Sequence, residues 1–175
     1  TSTQPPELFG VYLNLTENKS DHIALFLAKD WTNVVGKARP LEIARLQVLD
    51  YLAADGSVRR KSELRPEIAI TGRARPLYFH SARLVEALDG YIAHRLERKL
   101  GLGAEMAHRG LDPCSPLFLS AGGLGFQITP YGGHGQRRFR CRAIQEAYRK
   151  IWRYAEFKHI TALTVRHTVA DRLYA

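Results

Sequence analysis

Two arginines stand in contexts that suit them to hold a phosphate. Arg39 lies in Gly36-Lys-Ala-Arg-Pro-Leu-Glu-Ile-Ala-Arg-Leu46, at the head of an expected helix, with Glu42 three residues on. Arg166 lies in Leu163-Thr-Val-Arg-His-Thr-Val-Ala-Asp-Arg-Leu173, inside an amphipathic pattern and directly before His167. Two guanidinium groups converging on one phosphate would neutralise the charge that builds in phosphoryl transfer. Their planar forks match phosphate oxygens better than a lysine ammonium does. The competing reading gives each arginine a local ion pair, Arg39 with Glu42 for instance.

Other chemistry finds little support in the residue types. Gly101-Leu-Gly103 runs into Ala-Glu-Met, which is neither a dinucleotide fingerprint nor a phosphate loop. Gly122, Gly123 and Gly125 are followed by no Lys-Ser/Thr and read as a turn. The seven histidines never meet carboxylates or cysteines at ligand spacing, so no metal site is expected. Cys114 and Cys141 form no disulfide framework, zinc pattern or reactive motif.

Helices must carry both arginines. Ser20 and Asp21 can cap a helix through Ile23, Leu27 and Trp31, ended by Gly36. A second is expected from Arg39-Pro40 through Leu49, because proline is tolerated in a first turn. After the Asp55-Gly56 turn, residues 57–64, 67–70 and 75–79 read as three strands. Leu84, Val85, Leu88, Tyr91, Ile92 and Leu96 recur at three- and four-residue steps and mark a helix between Ser81 and Lys99. Residues 117–120 and 126–129 suggest a short hairpin, residues 138–155 a basic helix, and residues from about 161 to 175 a last helix. The order predicts an α+β domain over 1–175, mostly helical, with a small antiparallel sheet at one side.

The 175 residues can bury a core without staples, and no apolar run is long enough to cross a bilayer. The net charge of +9 is uneven. Between His134 and Ala175 ten Lys and Arg face three Asp and Glu, a surplus of +7. Such a segment attracts a polyanion by counterion release, or is simply a solvated basic face.

Together the arginine segments resemble the catalytic domain of the tyrosine recombinase (phage integrase) superfamily. The first is similar to its Gly-Leu-Arg-x-x-Glu-Leu box and the second to its His-x-x-Arg-His-Thr-x-Ala-Thr box. Residues 55–77 resemble the β-hairpin region between them, and the helix from Ser81 follows as in the family, so the likeness runs along nearly the whole chain. It implies that Arg39 and Arg166 grip the scissile phosphate, that Glu42 supports the first box, and that His167 is a supporting residue. It further implies DNA integration and recombination through a 3′-phosphotyrosyl link, with double-stranded DNA as partner, a homo-oligomer or recombinase partner, no cofactor, no membrane, and a bacterial cytoplasmic or nucleoid location. Arg73 and Arg75 of the hairpin, with Arg137, Arg138, Arg140, Arg142 and Arg149 of the basic run, are the expected DNA contacts.

The family's general acid/base histidine corresponds to Leu163 here, and its hairpin lysine to Ile70, with Lys61 or Arg73 as substitutes if the register slips. Tyr174 follows Arg166 too closely to be the nucleophile, which is expected beyond Ala175, and the family's helical N-terminal core-binding domain is expected to be missing, since only about 35 residues precede Arg39. The 175 residues by themselves are therefore expected to retain the phosphate grip and not to cleave DNA. The alternative is a non-catalytic DNA-binding or recombinase-partner module on the same fold.

Overall fold

A computed structural model describes residues 38–79, 82–120, 122–132 and 138–154. The helices expected at 20–31 and beyond 161, and with them Leu163, Arg166, His167 and Tyr174, lie outside the described residues, as does Arg137. In chain order the elements are α1 (Pro40–Arg45), α2 (Val48–Tyr51), β1 (Lys61–Leu64), β2 (Arg75–Tyr78), α3 (Ala82–Glu97), a 3₁₀ turn (Ala107–Gly110), β3 (Thr129–Tyr131), β4 (Arg138–Arg140) and α4 (Arg142–Tyr154). β1 pairs antiparallel with β2, Lys61 opposite Tyr78 and Leu64 opposite Arg75. β3 pairs antiparallel with β4, Thr129 opposite Arg140 and Tyr131 opposite Arg138. The described residues thus form an α+β arrangement of helices with two small antiparallel sheets.

The expected helix from Arg39 through Leu49 is two short helices. The chain becomes extended at Leu46 and Gln47, because the segment 113–117 takes over their backbone groups. Leu117 N–H donates to Leu46 C=O at 2.7 Å, Val48 N–H donates to Ser115 C=O at 3.0 Å, and Gln47 bridges to Pro116. Asp50 then starts α2 by accepting the Gln47 N–H at 2.8 Å.

Three other expectations are corrected. Residues 67–70 curl into turns rather than a strand, since Ile68 and Ala69 N–H both donate to Arg65 C=O, at 3.0 and 2.9 Å. The strand expected over 57–64 is confined to Lys61–Leu64, with Val58 bridging singly to Leu52. The hairpin expected across 117–129 is one bridge, Leu119 to Gly125, and Thr129–Tyr131 pairs instead with Arg138–Arg140, which sequence patterning placed in the basic helix.

α3 matches its expected bounds closely. Leu84, Leu88 and Ile92 face the core, which also takes in Ile43, Leu46, Tyr51, Leu64, Phe79, Leu111, Leu117 and Ile144. The Tyr51 and Phe79 rings meet edge to face at 5.1 Å, and Tyr91 stacks on Phe118 at 6.0 Å. Tyr51 donates its hydroxyl proton to Asp89 Oδ1 at 3.3 Å, and Asp89 also takes Arg109 Nη1 at 2.8 Å.

The stripe read from the sequence does not include Arg95, yet Arg95 is fully buried. Its guanidinium donates to the carbonyls of Leu100, Pro116 and Leu117 at 3.3, 2.9 and 3.0 Å, and to Ser115 Oγ at 3.1 Å. The side chain thereby closes the C-terminal end of α3 and fixes the 115–117 segment that divides α1 from α2. Gly101 permits this: its φ is +68°, and a Cβ there would run into Arg95 Nη2.

Candidate phosphate-binding site

Arg39 precedes a proline, which drives it away from helical backbone angles and into the extended region. It adopts φ −88°, ψ 157°, the conformation of an N-cap, and Pro40 opens α1 with no N–H to leave unpaired. A guanidinium has no acceptor with which to cap a helix. The cap function passes to Glu42, whose Oε2 accepts the Arg39 backbone N–H at 2.6 Å.

Glu42 is completely buried and carries more than this cap. Its Oε1 accepts the Ile70 N–H at 3.0 Å, and its Oε2 accepts Arg75 Nη2 at 2.5 Å. One carboxylate therefore joins the head of α1, the 65–74 connection and the start of β2. The local pairing of Arg39 with Glu42 considered from the sequence does not form between side chains. The guanidinium that neutralises Glu42 comes from Arg75, and that of Arg39 makes no ion pair or hydrogen bond with any described residue.

The same construction repeats one helix later. Asp50, buried to 2% exposure, caps Gln47 and is held by Arg65 through Nε at 3.1 Å and Nη2 at 3.3 Å. Arg65 also donates to the Gln47 side-chain carbonyl. The helix-capping carboxylates thus take arginines from the two ends of the β1–β2 connection, Arg65 within it and Arg75 at the start of β2, and the connection is clamped over the Arg39 end of α1. Ile70, the position matched to the family's lysine, is brought beside Arg39 by this clamp, since both backbone N–H groups meet Glu42. Its side chain is 40% exposed.

α1 also packs against β4 and α4, which brings the basic run to the Arg39 helix. The Arg45 guanidinium lies over the Phe139 ring at 6.0 Å, and that of Arg140 over the Tyr131 ring at 5.0 Å. Cys141 is buried at the junction of β4 and α4, and burial pushes its thiol pKa up. Arg138 and Arg142 are exposed. Arg149 is exposed and pairs with Glu146 one turn away, and Arg73 is exposed in the β1–β2 connection. Of the residues matched to the phosphate grip, the structure therefore places Arg39, with the cations of the basic run on elements packed against its helix. Arg75 is committed to Glu42. Sequence reasoning missed Tyr131 and Phe139, the two exposed rings interleaved with Arg138 and Arg140. Their alternation over Arg138-Phe139-Arg140 was the available signal.

Among the described residues no group of His, Cys, Asp or Glu side chains could hold a metal ion, and no helix is long and apolar enough to cross a membrane. Comparisons with models of protein families, with curated proteins and with solved structures find no match to this chain.

Proposed function

We propose that the chain is a DNA-binding domain of the tyrosine-recombinase type, which holds a backbone phosphate of duplex DNA with Arg39. The observation that carries this reading is the division of labour around Glu42. The buried carboxylate fixes the Arg39 backbone and takes its countercharge from Arg75, so the Arg39 guanidinium is positioned yet has no carboxylate to satisfy among the described residues. An arginine held in this way, beside the basic elements β4 and α4, suits a phosphate brought from outside. Arg166 and His167 complete the grip by resemblance to the family.

Within that reading a DNA-holding role without strand cleavage is favoured over recombination by the chain itself. The residue beside Arg39 where the family has its lysine is Ile70, an apolar side chain with no proton to give to a leaving hydroxyl. Leu163 stands likewise in place of the general acid/base histidine. DNA integration and recombination then belong to an assembly in which other groups supply the chemistry.

Titration of a labelled duplex with the protein at several salt concentrations tests the assignment. Arg39→Ala should weaken binding about tenfold or more, the loss of a charge-assisted contact, and lower the slope of log K against log salt by about 0.9. Arg39→Lys should restore the slope while recovering only part of the affinity, because the ammonium lacks the fork. Affinity and slope indifferent to Arg39→Ala would overturn the phosphate grip.

A further inference from the structure

The Arg39 site leaves a neighbouring feature unused, the Phe139 ring where β4 meets α1. Directly paired residues of an antiparallel ribbon share a face, so Phe139 and its partner Pro130 lie on one side. Two residues on, Cys141 is buried in the core, and the strand leaves the core from there outward. Its outer part is apolar and in contact with water: Pro130 is exposed, and Phe139 is 44% exposed.

The surroundings of this ring are cationic. Arg45, at the end of α1, holds its guanidinium 6.0 Å from the ring centroid and makes no ion pair or hydrogen bond with any described residue. Arg142, at the start of α4, is exposed and equally without a carboxylate among the described residues. Arg39 stands at the opposite end of α1, and α1 packs against both β4 and α4. No Asp or Glu lies between Pro113 and Gln145, and Glu146 pairs with Arg149. A guanidinium covers one face of a ring, and the exposure that remains leaves Phe139 free to take a second planar group. An apolar peptide would use the ring and leave the cations uncompensated. A regular duplex would use the cations, but its bases are stacked on one another and offer the ring no face. A nucleotide with an unpaired base serves both, its base on the ring and its phosphates on the arginines.

We propose that Phe139, with Arg45 over it, is a stacking platform for an unpaired base of DNA whose adjoining duplex is held at Arg39. The inference rests on the DNA-binding reading above and narrows its substrate to duplex that carries a single-stranded stretch.

Fluorescence anisotropy with three labelled probes tests this: a blunt duplex, the same duplex with a short oligothymidine tail, and that duplex with an abasic tail of equal length. The native protein should bind the thymidine-tailed duplex about tenfold more tightly than the blunt one, the effect of one stacked base, and the abasic tail should bring little of that gain. Phe139→Leu should erase the preference while affinity for the blunt duplex and the melting temperature stay unchanged, and Phe139→Trp should preserve it. If the leucine variant melts early, the abasic tail and Phe139→Trp still decide. Equal binding of blunt and tailed duplex by the native protein overturns the platform and leaves the Arg39 reading standing. So does an abasic tail as effective as thymidine, a preference that survives Phe139→Leu, or an equal loss on all three probes. Absence of salt-dependent binding to any of the probes overturns the reading beneath, and this inference with it.

Discussion

Replacing Glu42 by alanine removes three hydrogen bonds at one buried point. The Arg39 N–H loses its cap, worth about 1 kcal/mol in comparable helices. The Ile70 N–H loses its acceptor in a part-buried setting, at about 1 kcal/mol, the low end for an orphaned donor. Breaking a fully buried ion pair costs about 3–5 kcal/mol, but the Arg75 side chain is 24% exposed and regains water, so about 1 kcal/mol is the fitting figure. The sum is about 3 kcal/mol, which in a chain of this length lowers the melting temperature by roughly 6–12 °C. Calorimetry or circular dichroism melting reads it directly. Glu42→Gln fills the same volume but presents an amide N–H₂ to donors, so about 2 kcal/mol should still be lost. That variant should retain enough structure for DNA titration and bind duplex more weakly, because the Arg39 backbone is no longer fixed. A shift below about 2 °C for Glu42→Ala would show that the carboxylate does not tie α1 to the β1–β2 connection, and the argument for a positioned Arg39 would fall.

Two other perturbations probe the frame around that site. Gly101→Ala should cost about 2–4 kcal/mol in urea unfolding, since it combines a left-handed backbone with a collision against Arg95 Nη2. Gly110→Ala, at φ +82° with nothing nearby, should cost only about 1 kcal/mol, and equal effects at the two sites would refute the Arg95 closure. Burial, then the neighbouring Asp89 charge and hydrogen bond, raises the pKa of Tyr51 above its ordinary 10.0, so its contribution to stability is complete below pH 10 and declines as pH climbs through the folded value. Tyr51→Phe should flatten the fall in stability above pH 10 by up to about 1.4 kcal/mol per pH unit, leaving the part due to half-buried Tyr91; an unchanged slope would contradict the burial of the Tyr51 hydroxyl.

What could be read from the sequence is what depends on neighbours in the chain. α3 was legible because its apolar residues repeat at helical spacing, and the start of α1 because a proline follows Arg39. The partners of Glu42 were not legible, since Ile70 and Arg75 lie 28 and 33 positions away. Spacing offers Glu42 to the Arg39 guanidinium, whereas the fold turns the carboxylate to the Arg39 backbone. Arg95 was hidden for the same reason: its partners are carbonyls at positions 100–117, and a guanidinium can be buried when carbonyls satisfy it. The ribbon escaped notice because arginine has no strong preference for strand or helix, so residues 138–140 take their conformation from their pairing with Thr129–Tyr131.

That non-local sorting changes what the net charge means. A surplus of +9 counts Arg65, Arg75 and Arg109 equally with Arg39 and Arg142, but the first three are bound to Asp50, Glu42 and Asp89. Their charges are cancelled at close range and contribute little to the field a polyanion meets. Arg39 and Arg142 pair with no carboxylate among the described residues, and they sit at the head of α1 and on α4, which packs against it. A basic protein whose positive face were only solvated would have no need to separate its arginines so. Here residues 113–145 hold no acidic residue, and Glu42 and Asp50 are turned inward as helix caps.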